Sequence, residues 1–545
     1  MTLPHVNRRH AARARRGAAG LAAVLAALAV AACGGSSGST VARLPPVHPD
    51  RVGPEATFTP SNSELLGPDV GAKLDLLRQL GVRDVHIGIQ WASIAPHPTS
   101  RHRPSFDAAD PAAYPAGVFA PYDAIDRGLA ARGIQFTLAL APSAPIWATG
   151  RGHWQLQGVW EPKASEFGQF ARALATRYSG HYTPPGQSTP LPRITQWSIW
   201  NEPDQGFQLA PQTNPKTHAE QSPAMYRALV DAAWSGLRAA GQSPASILIG
   251  ELAPAGRSYP TNPGNFGSMA PLRFLRALYC VGSDYKPLSG VAAAQRSCPT
   301  TAAASAHFAA QHPGLFHAGG VANHPYPQGL APNTVTPDEP DYTELAASGK
   351  LEATLDRLNR LYGSSTRYRI YSTEFGYQTK PPDDELGVVS PQTAAAWMNW
   401  AEYITWQDPR QASFDQYLIV DPPSGHFATG LVTAQGVPKP AYDAYRMPLY
   451  LPVTSTRKRH PLVVWGCVRP AYFAQKQTHT PQRVQIQFAP RGSTRFRTLR
   501  TVTIASPHGF FETTETFPGS GSVRLRWSYP NGGVITSRTV VVTLR

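Results

Sequence analysis

Short runs of β-branched and aromatic residues alternate with amphipathic helical stripes along about 400 residues of this chain, and that alternation restricts the fold more than any other feature. Strand-like runs fall at Val85 to Trp91, Gln135 to Leu140, Gln196 to Trp200, Ile247 to Gly250, Gly320 to Asn323, Tyr368 to Ser372 and Phe414 to Val420. Between them run apolar stripes such as Leu74, Leu77, Leu80; Tyr122, Ile125, Leu129, closed by Gly133; and Phe167, Phe170, Leu174, Tyr178. Ser222-Pro223 and Ser390-Pro391 read as helix starts, and Gly363 as a helix end. Strand, helix and strand in succession imply parallel strands with crossover helices. An eighth run at Ala56 to Phe58 completes the count for a closed (β/α)8, or TIM, barrel over residues 50–450.

After Tyr450 the helical stripes stop. Leu462 to Val468, Arg483 to Phe488, Leu499 to Ile504, Gly509 to Phe517, Val523 to Tyr529 and Gly533 to Leu544 alternate with turn residues, which predicts an all-β sandwich of the immunoglobulin or fibronectin kind over residues 451–545. No glycine-rich phosphate loop follows any strand of the barrel, so no nucleotide cofactor is expected.

The charge is +15 overall, but its placement matters more than its size. Residues 1–33 hold five arginines and no acid, residues 452–545 carry +12, and what lies between is close to neutral at −2. Basicity confined to the two ends speaks against nucleic-acid binding by the central barrel. It leaves open a contact between the basic C-terminal domain and an anionic cell-wall polymer or lipid headgroups, beside the plainer reading of an arginine-rich solvated surface.

The five N-terminal arginines precede an apolar run from Leu21 to Ala32, too short to span a membrane and suited to an export signal. Val30-Ala31-Ala32-Cys33, followed by a Gly/Ser-rich and then Pro-rich tether over residues 34–49, resembles the lipobox of bacterial lipoproteins. That resemblance implies cleavage before Cys33, its lipidation, and anchoring on the extracytoplasmic face of the membrane; an ordinary signal peptide is the alternative. In an exported protein Cys280 and Cys298 can be oxidised to a disulfide, while Cys467, within a strand-like run, reads as a buried small side chain. The cysteine spacing fits no zinc motif, and no metal is expected.

Two strands deliver a carboxylate at their C-terminal ends, where a (β/α)8 barrel keeps its chemistry: Glu202 in Trp200-Asn201-Glu202-Pro203, and Glu374 in Ser372-Thr373-Glu374-Phe375-Gly376. Together with Asn323-His324-Pro325-Tyr326-Pro327, these stretches resemble in order the fourth, sixth and seventh strand ends of clan A glycoside hydrolases, closest to bacterial family 39 and family 5. The resemblance spans roughly residues 50 to 450. It implies a retaining glycosidase with Glu202 as acid/base and Glu374 as nucleophile, with Asn201 on the sugar's 2-hydroxyl, Tyr326 orienting Glu374 and His324 on the same rim. Two carboxylates suffice for such a reaction, the acid protonated and the nucleophile ionised at one pH. Glu251, also at a strand end, is a reserve candidate.

Aromatic rings match the C–H-rich faces of sugars, which makes Trp91 and Trp147 candidate platforms, with core packing as the common alternative. Where the resembled enzymes carry an arginine on the second strand this chain has His86, another candidate substrate contact, and the run Asp415 to Asp421 lacks the tryptophan usual on the eighth. A non-catalytic carbohydrate-binding lipoprotein and a transglycosylase using the same carboxylates remain alternatives to hydrolysis.

Overall fold

The computed structural model describes residues 47–545 except 153–157 and 386. Cys33, the signal segment and all but the last three residues of the tether fall outside the described residues.

Eight parallel strands close into a barrel in chain order: β1 Glu55–Phe58, β2 Asp84–Gln90, β3 Gln135–Ala141, β4 Gln196–Ile199, β5 Ile247–Leu252, β6 Gly320–Asn323, β7 Arg369–Ser372 and β8 Gln411–Phe414. The closure is direct, Glu55 of β1 pairing with Ser413 of β8. Helices between the strands bury the expected stripes: Val70–Leu80 turns Leu74, Leu77 and Leu80 inward, and Ala164–Arg177 buries Phe167, Phe170 and Leu174. Gly81 and Gly133 end their helices in the left-handed region, at φ 85° and 67°, where a glycine carries no Cβ penalty. Ser390 caps its helix by accepting from the amide of Thr393, whereas Ser222 lies inside the first turn and its hydroxyl bonds Gln212.

One strand differs from the reading of the sequence. The β-branched run after Phe414 is not the eighth strand; the strand is Gln411–Phe414, just before it. Leu418 at φ 71° breaks the extended backbone, and the run instead leaves the barrel past the end of β1, bonded there through the Gln416 amide to the Thr57 carbonyl at 3.3 Å and through a Thr59–Tyr417 bridge. Hydrophobic alternation alone does not separate a strand from the loop that leaves it.

The C-terminal strands form two sheets. One is ordered β10-β17-β15-β12-β13, with β16 added to β15; the other is β14-β11-β9. Here β9 is Leu449–Tyr450, β10 Ser455–Thr456, β11 Leu462–Cys467, β12 Arg483–Pro490, β13 Arg497–Thr503, β14 Phe510–Glu515, β15 Gly521–Ser528, β16 Val534–Thr536 and β17 Val540–Leu544. Val464, Val484, Ile486, Phe511, Leu525 and Trp527 meet in one apolar core between them. The uninterrupted succession of strands expected here is corrected by a helix, Ala471–Thr478, after β11, and the predicted final strand is two. That helix buries only Ala471 and Ala474, too sparse a stripe to signal itself.

An aromatic seam of Tyr403, Trp406, Trp465 and Phe510 joins these sheets to the barrel, with Cys467 buried in it as a free thiol. Gly53, at φ 76°, passes this seam where a Cβ would lie 2.5 Å from Phe510 and 2.6 Å from Trp406. No helix among the described residues is long and apolar enough to cross a membrane.

Candidate active site

The C-terminal strand ends converge on a cleft of about 520 Å³ lined by Asn201, Glu202, Gln205, Phe207, Tyr326, Glu374, Tyr377, Tyr417 and Phe427, among others. A second lobe of about 260 Å³ reaches down to His86 and Gly88 on β2 and shares Asn201, Gln208, Glu374 and Tyr417 with the first. Glu374 and Asn201 therefore stand at the waist of a two-lobed cavity, with Glu202 lining the larger lobe.

The sequence explains how Glu202 is presented. After β4 the backbone turns sharply, with Trp200 at φ 71° and Glu202 at φ 41°, both in the left-handed region that non-glycine residues avoid. Trp200 is wholly buried against Phe167 and its indole donates to the Gln208 carbonyl at 3.1 Å, which anchors the turn. Glu374 follows β7 after a single residue, Thr373. The two side chains remain 15% and 16% exposed, open to a ligand while flanked by protein.

His324, fully buried after β6, ties the carboxylates together. Its Nδ1 lies 2.9 Å from Glu202 Oε1 and 3.6 Å from Glu374 Oε2. One oxygen of Glu202, one of Glu374 and one nitrogen of His324 all fall within 4.8 Å of each other. The Tyr326 hydroxyl donates to Glu374 Oε2 at 3.0 Å. On its other side His324 Nε2 meets Glu251 Oε2 at 2.8 Å, and His86 Nε2 meets Glu251 Oε1 at 3.1 Å.

Electrostatics follow from this crowding. Burial alone would push the His324 imidazole down, but the carboxylates of Glu374, Glu202 and Glu251 outweigh it and hold it well above its usual range. Burial pushes the Glu374 carboxyl up; His324 pulls it back, and the nearby Glu202 charge adds to the rise. Two acids beside the site, Asp204 and Asp415, are held well above the usual carboxylate range by burial. Burial also opposes the charge of Glu251, yet His86 and His324 overcome it and keep this carboxyl well below its ordinary value.

The predicted residues are thus sorted by the structure. Asn201, Glu202, Tyr326 and Glu374 line the cleft, His324 lies beneath the two glutamates, and His86 reaches the floor of the smaller lobe. Trp91 and Trp147 are corrected: each is 1% exposed and neither lines a lobe. Trp91 stacks on Phe170 at 5.6 Å, and the Trp147 indole donates to the Pro96 carbonyl at 3.0 Å within the same aromatic cluster. Burial of a large apolar area outcompeted exposure. The exposed aromatics of the cleft are instead Phe207, at 61%, and Phe427, at 37%, on loops whose sequence gives no platform signal.

Two groups among the described residues have ligand-like spacing, Glu202–His324–Glu374 and Asp383–Asp384–His426. In the first, His324 Nδ1 engages Glu202 Oε1 and Tyr326 engages Glu374 Oε2, an arrangement that handles protons. In the second, the Asp383 oxygens accept from the backbone amides of Glu385 and Ala428. Cys280 and Cys298 are joined in a disulfide.

No protein-family model matches the chain, and no curated protein does. Among solved structures it is similar to a glucosidase from Croceicoccus marinus, with TM-score 0.48 and 12% identity over 91% of this chain and 98% of that one. It is also similar to a family 39 glycoside hydrolase from Bacteroides cellulosilyticus, with TM-score 0.43 and 12% identity over 87% and 83% of the two chains. A monomeric beta-xylosidase from Caulobacter crescentus gives TM-score 0.43 and 13% identity over 91% and 96%.

Proposed function

We propose that this chain is a retaining O-glycoside hydrolase in which Glu374 is the nucleophile and Glu202 the acid/base. The observation that carries the reading is the pairing of the two glutamates, from the ends of β4 and β7, with carboxylate oxygens within 4.8 Å. Retaining enzymes set their carboxyls about 5–5.5 Å apart, while inverting enzymes need about 6.5–9.5 Å to admit a water. An oxygen-to-oxygen approach this close is compatible with the shorter, retaining separation and supports direct attack by a carboxylate.

In the first step Glu374 attacks the anomeric carbon and Glu202 gives its proton to the departing glycosidic oxygen, leaving a glycosyl ester on Glu374 and a free alcohol. Glu202, now a carboxylate, takes a proton from water as that water attacks the same carbon and releases Glu374. Tyr326 orients the nucleophile through its 3.0 Å hydrogen bond, and Asn201 stands beside the waist where the sugar's 2-hydroxyl would lie. The two lobes that meet at Glu374 suit a substrate with sugar on one side and leaving group on the other.

Export with a lipid anchor on Cys33 is part of the same proposal; a Cys280–Cys298 disulfide suits an oxidising compartment. An anionic wall polymer remains a candidate partner for the basic C-terminal sheets. The test is turnover of a panel of 4-nitrophenyl glycosides, with the first-formed sugar's anomeric configuration read by NMR. Retention by the wild type, with loss in Glu374→Ala, is expected. Inversion, or activity surviving in Glu374→Ala, would sink the assignment.

A further inference from the structure

Glu251, the last residue but one of β5, is a strand-end carboxylate that the two-step reaction leaves unused. It has no solvent exposure, and an isolated buried carboxylate costs several kcal/mol, so its partners matter. Four side chains from other strands or strand ends converge on it. Oε1 meets His86 Nε2 at 3.1 Å and accepts from the Ser198 hydroxyl; Oε2 meets His324 Nε2 at 2.8 Å and accepts from the Thr373 hydroxyl at 2.6 Å.

We propose that Glu251 is a positioning residue for the Glu202–Glu374 pair, acting through His324, whose ring it clamps at Nε2 so that Nδ1 is presented to both reactive carboxylates. The inference rests on the glycosidase reading. A carboxylate can only accept at Nε2, so that nitrogen carries a proton, and Nδ1 is left 2.9 Å from Glu202 and 3.6 Å from Glu374. An ionised Glu202 then calls for a second proton on the ring. Glu251 balances the resulting charge inside the barrel. His86, where the resembled enzymes carry a longer arginine, stops at Glu251, and the cation that reaches the reactive pair is His324.

The titratable groups facing His324 are Glu202 and Asp204 after β4, Glu251 on β5, Tyr326 on its own segment, Glu374 after β7 and Asp415 after β8, with His86 of β2 behind Glu251. Burial raises Asp204 and Asp415 and opposes their ionisation, while the carboxylates that lie within 3.6 Å of the His324 ring nitrogens are the three glutamates. Replacing Glu251 by glutamine removes the ring's charged anchor and lets it lose its second proton at lower pH. The positive charge closest to the reactive carboxylates disappears, which makes them harder to ionise.

The test is Glu251→Gln in the full chain. We expect kcat on a 4-nitrophenyl glycoside to fall about 100-fold, and both limbs of the kcat/KM profile to move to higher pH. In long-range 1H–15N spectra of [15N]histidine-labelled protein near neutral pH, the His324 ring, identified by its loss in His324→Gln, is expected doubly protonated in the wild type and singly protonated in Glu251→Gln. An unchanged ring signal with a superimposable pH profile would overturn the proposal. Should Glu251→Gln fail to fold, Glu251→Asp draws the carboxylate back while keeping its charge; a doubly protonated ring with lowered kcat supports the clamp, and unchanged kcat refutes it. If the wild type turns over no glycoside, the glycosidase reading fails, and the spectra still decide whether Glu251 sets the state of His324.

Discussion

The backbone amide of Glu202 donates to the carbonyl of Glu251 at 2.9 Å, and both residues hold the left-handed backbone, at φ 41° and 49°. The ends of β4 and β5 are thereby locked together by main chain as well as through His324. A non-glycine residue in this region costs about 1–3 kcal/mol, and in a buried site two nearby carboxylates add repulsion. Glu202→Asn tests whether stability has been given up here. Asparagine tolerates left-handed backbone and carries no charge, so the thermal midpoint by calorimetry is expected to rise by the equivalent of about 1 kcal/mol while turnover is lost. A fall in the midpoint would show that the His324–Glu202 contact outweighs the strain.

Tyr326→Phe removes one hydrogen bond and little volume. Bonds to charged groups are worth about 1.5–3 kcal/mol, so kcat/KM is expected to drop by roughly 10- to 100-fold. The pH dependence has a definite sign. Burial already raises the Glu374 carboxyl, and the tyrosine hydrogen bond lowers it. Without that bond the nucleophile is protonated at a higher pH, so the acid limb moves upward. A limb that stays in place would mean Tyr326 does not act on Glu374.

How far the sequence revealed this site depends on what each residue leaves in its neighbours. Glu202 and Glu374 were visible because each ends a β-branched run, and seven barrel strands were legible by the same pattern. The eighth is hidden because the run Asp415 to Val420 is as apolar as a strand but follows one. Glu251 reads as a strand-end acid, yet nothing local says that His86 and His324, 165 and 73 residues away in the chain, close on it. The tryptophan platforms failed for a related reason: a large ring near a strand end gains more by burial than a single chain's pattern can show.

Phe207 and Trp147 make a contrasting pair. Phe207 stands exposed at the cleft, so Phe207→Ala is expected to raise KM several-fold with kcat and thermal midpoint close to wild type. Trp147 fills the core, and Trp147→Ala is expected to cost about 3–5 kcal/mol by denaturant unfolding. Equal effects on KM with no loss of stability would return Trp147 to the substrate.

The Cys280–Cys298 disulfide closes a loop 18 residues long in sequence separation, and neither cysteine lines the cleft. Closing a loop of that length in the unfolded chain stabilises by about 3 kcal/mol. The Cys280→Ser/Cys298→Ser double variant is expected to unfold at correspondingly lower denaturant. Dithiothreitol should lower the wild-type midpoint by a similar amount and leave the double variant unmoved.

The junction between barrel and C-terminal sheets rests on a buried ion pair, Arg469 Nη2 to Glu402 Oε2 at 2.6 Å, with the guanidinium 4.2 Å from the Tyr445 ring centre. Burial pushes the Glu402 carboxyl up to about 7 against the pull of Arg469. Arg469→Met leaves that acid alone in the core, and breaking such a pair costs about 3–5 kcal/mol. The cost should depend on pH. With its partner gone the carboxyl binds its proton more tightly in the folded than in the unfolded state, so stability is greatest below the unfolded value of 4.5 and falls as pH rises above it. Urea unfolding at about pH 5 and about pH 8 should therefore show the larger loss at the higher pH. Glu402→Leu added to Arg469→Met removes the orphaned acid, and is expected to restore most of the stability and abolish its pH dependence. A double variant as unstable as the single would mean that the arginine's packing on Tyr445, and not the charge pair, holds the junction.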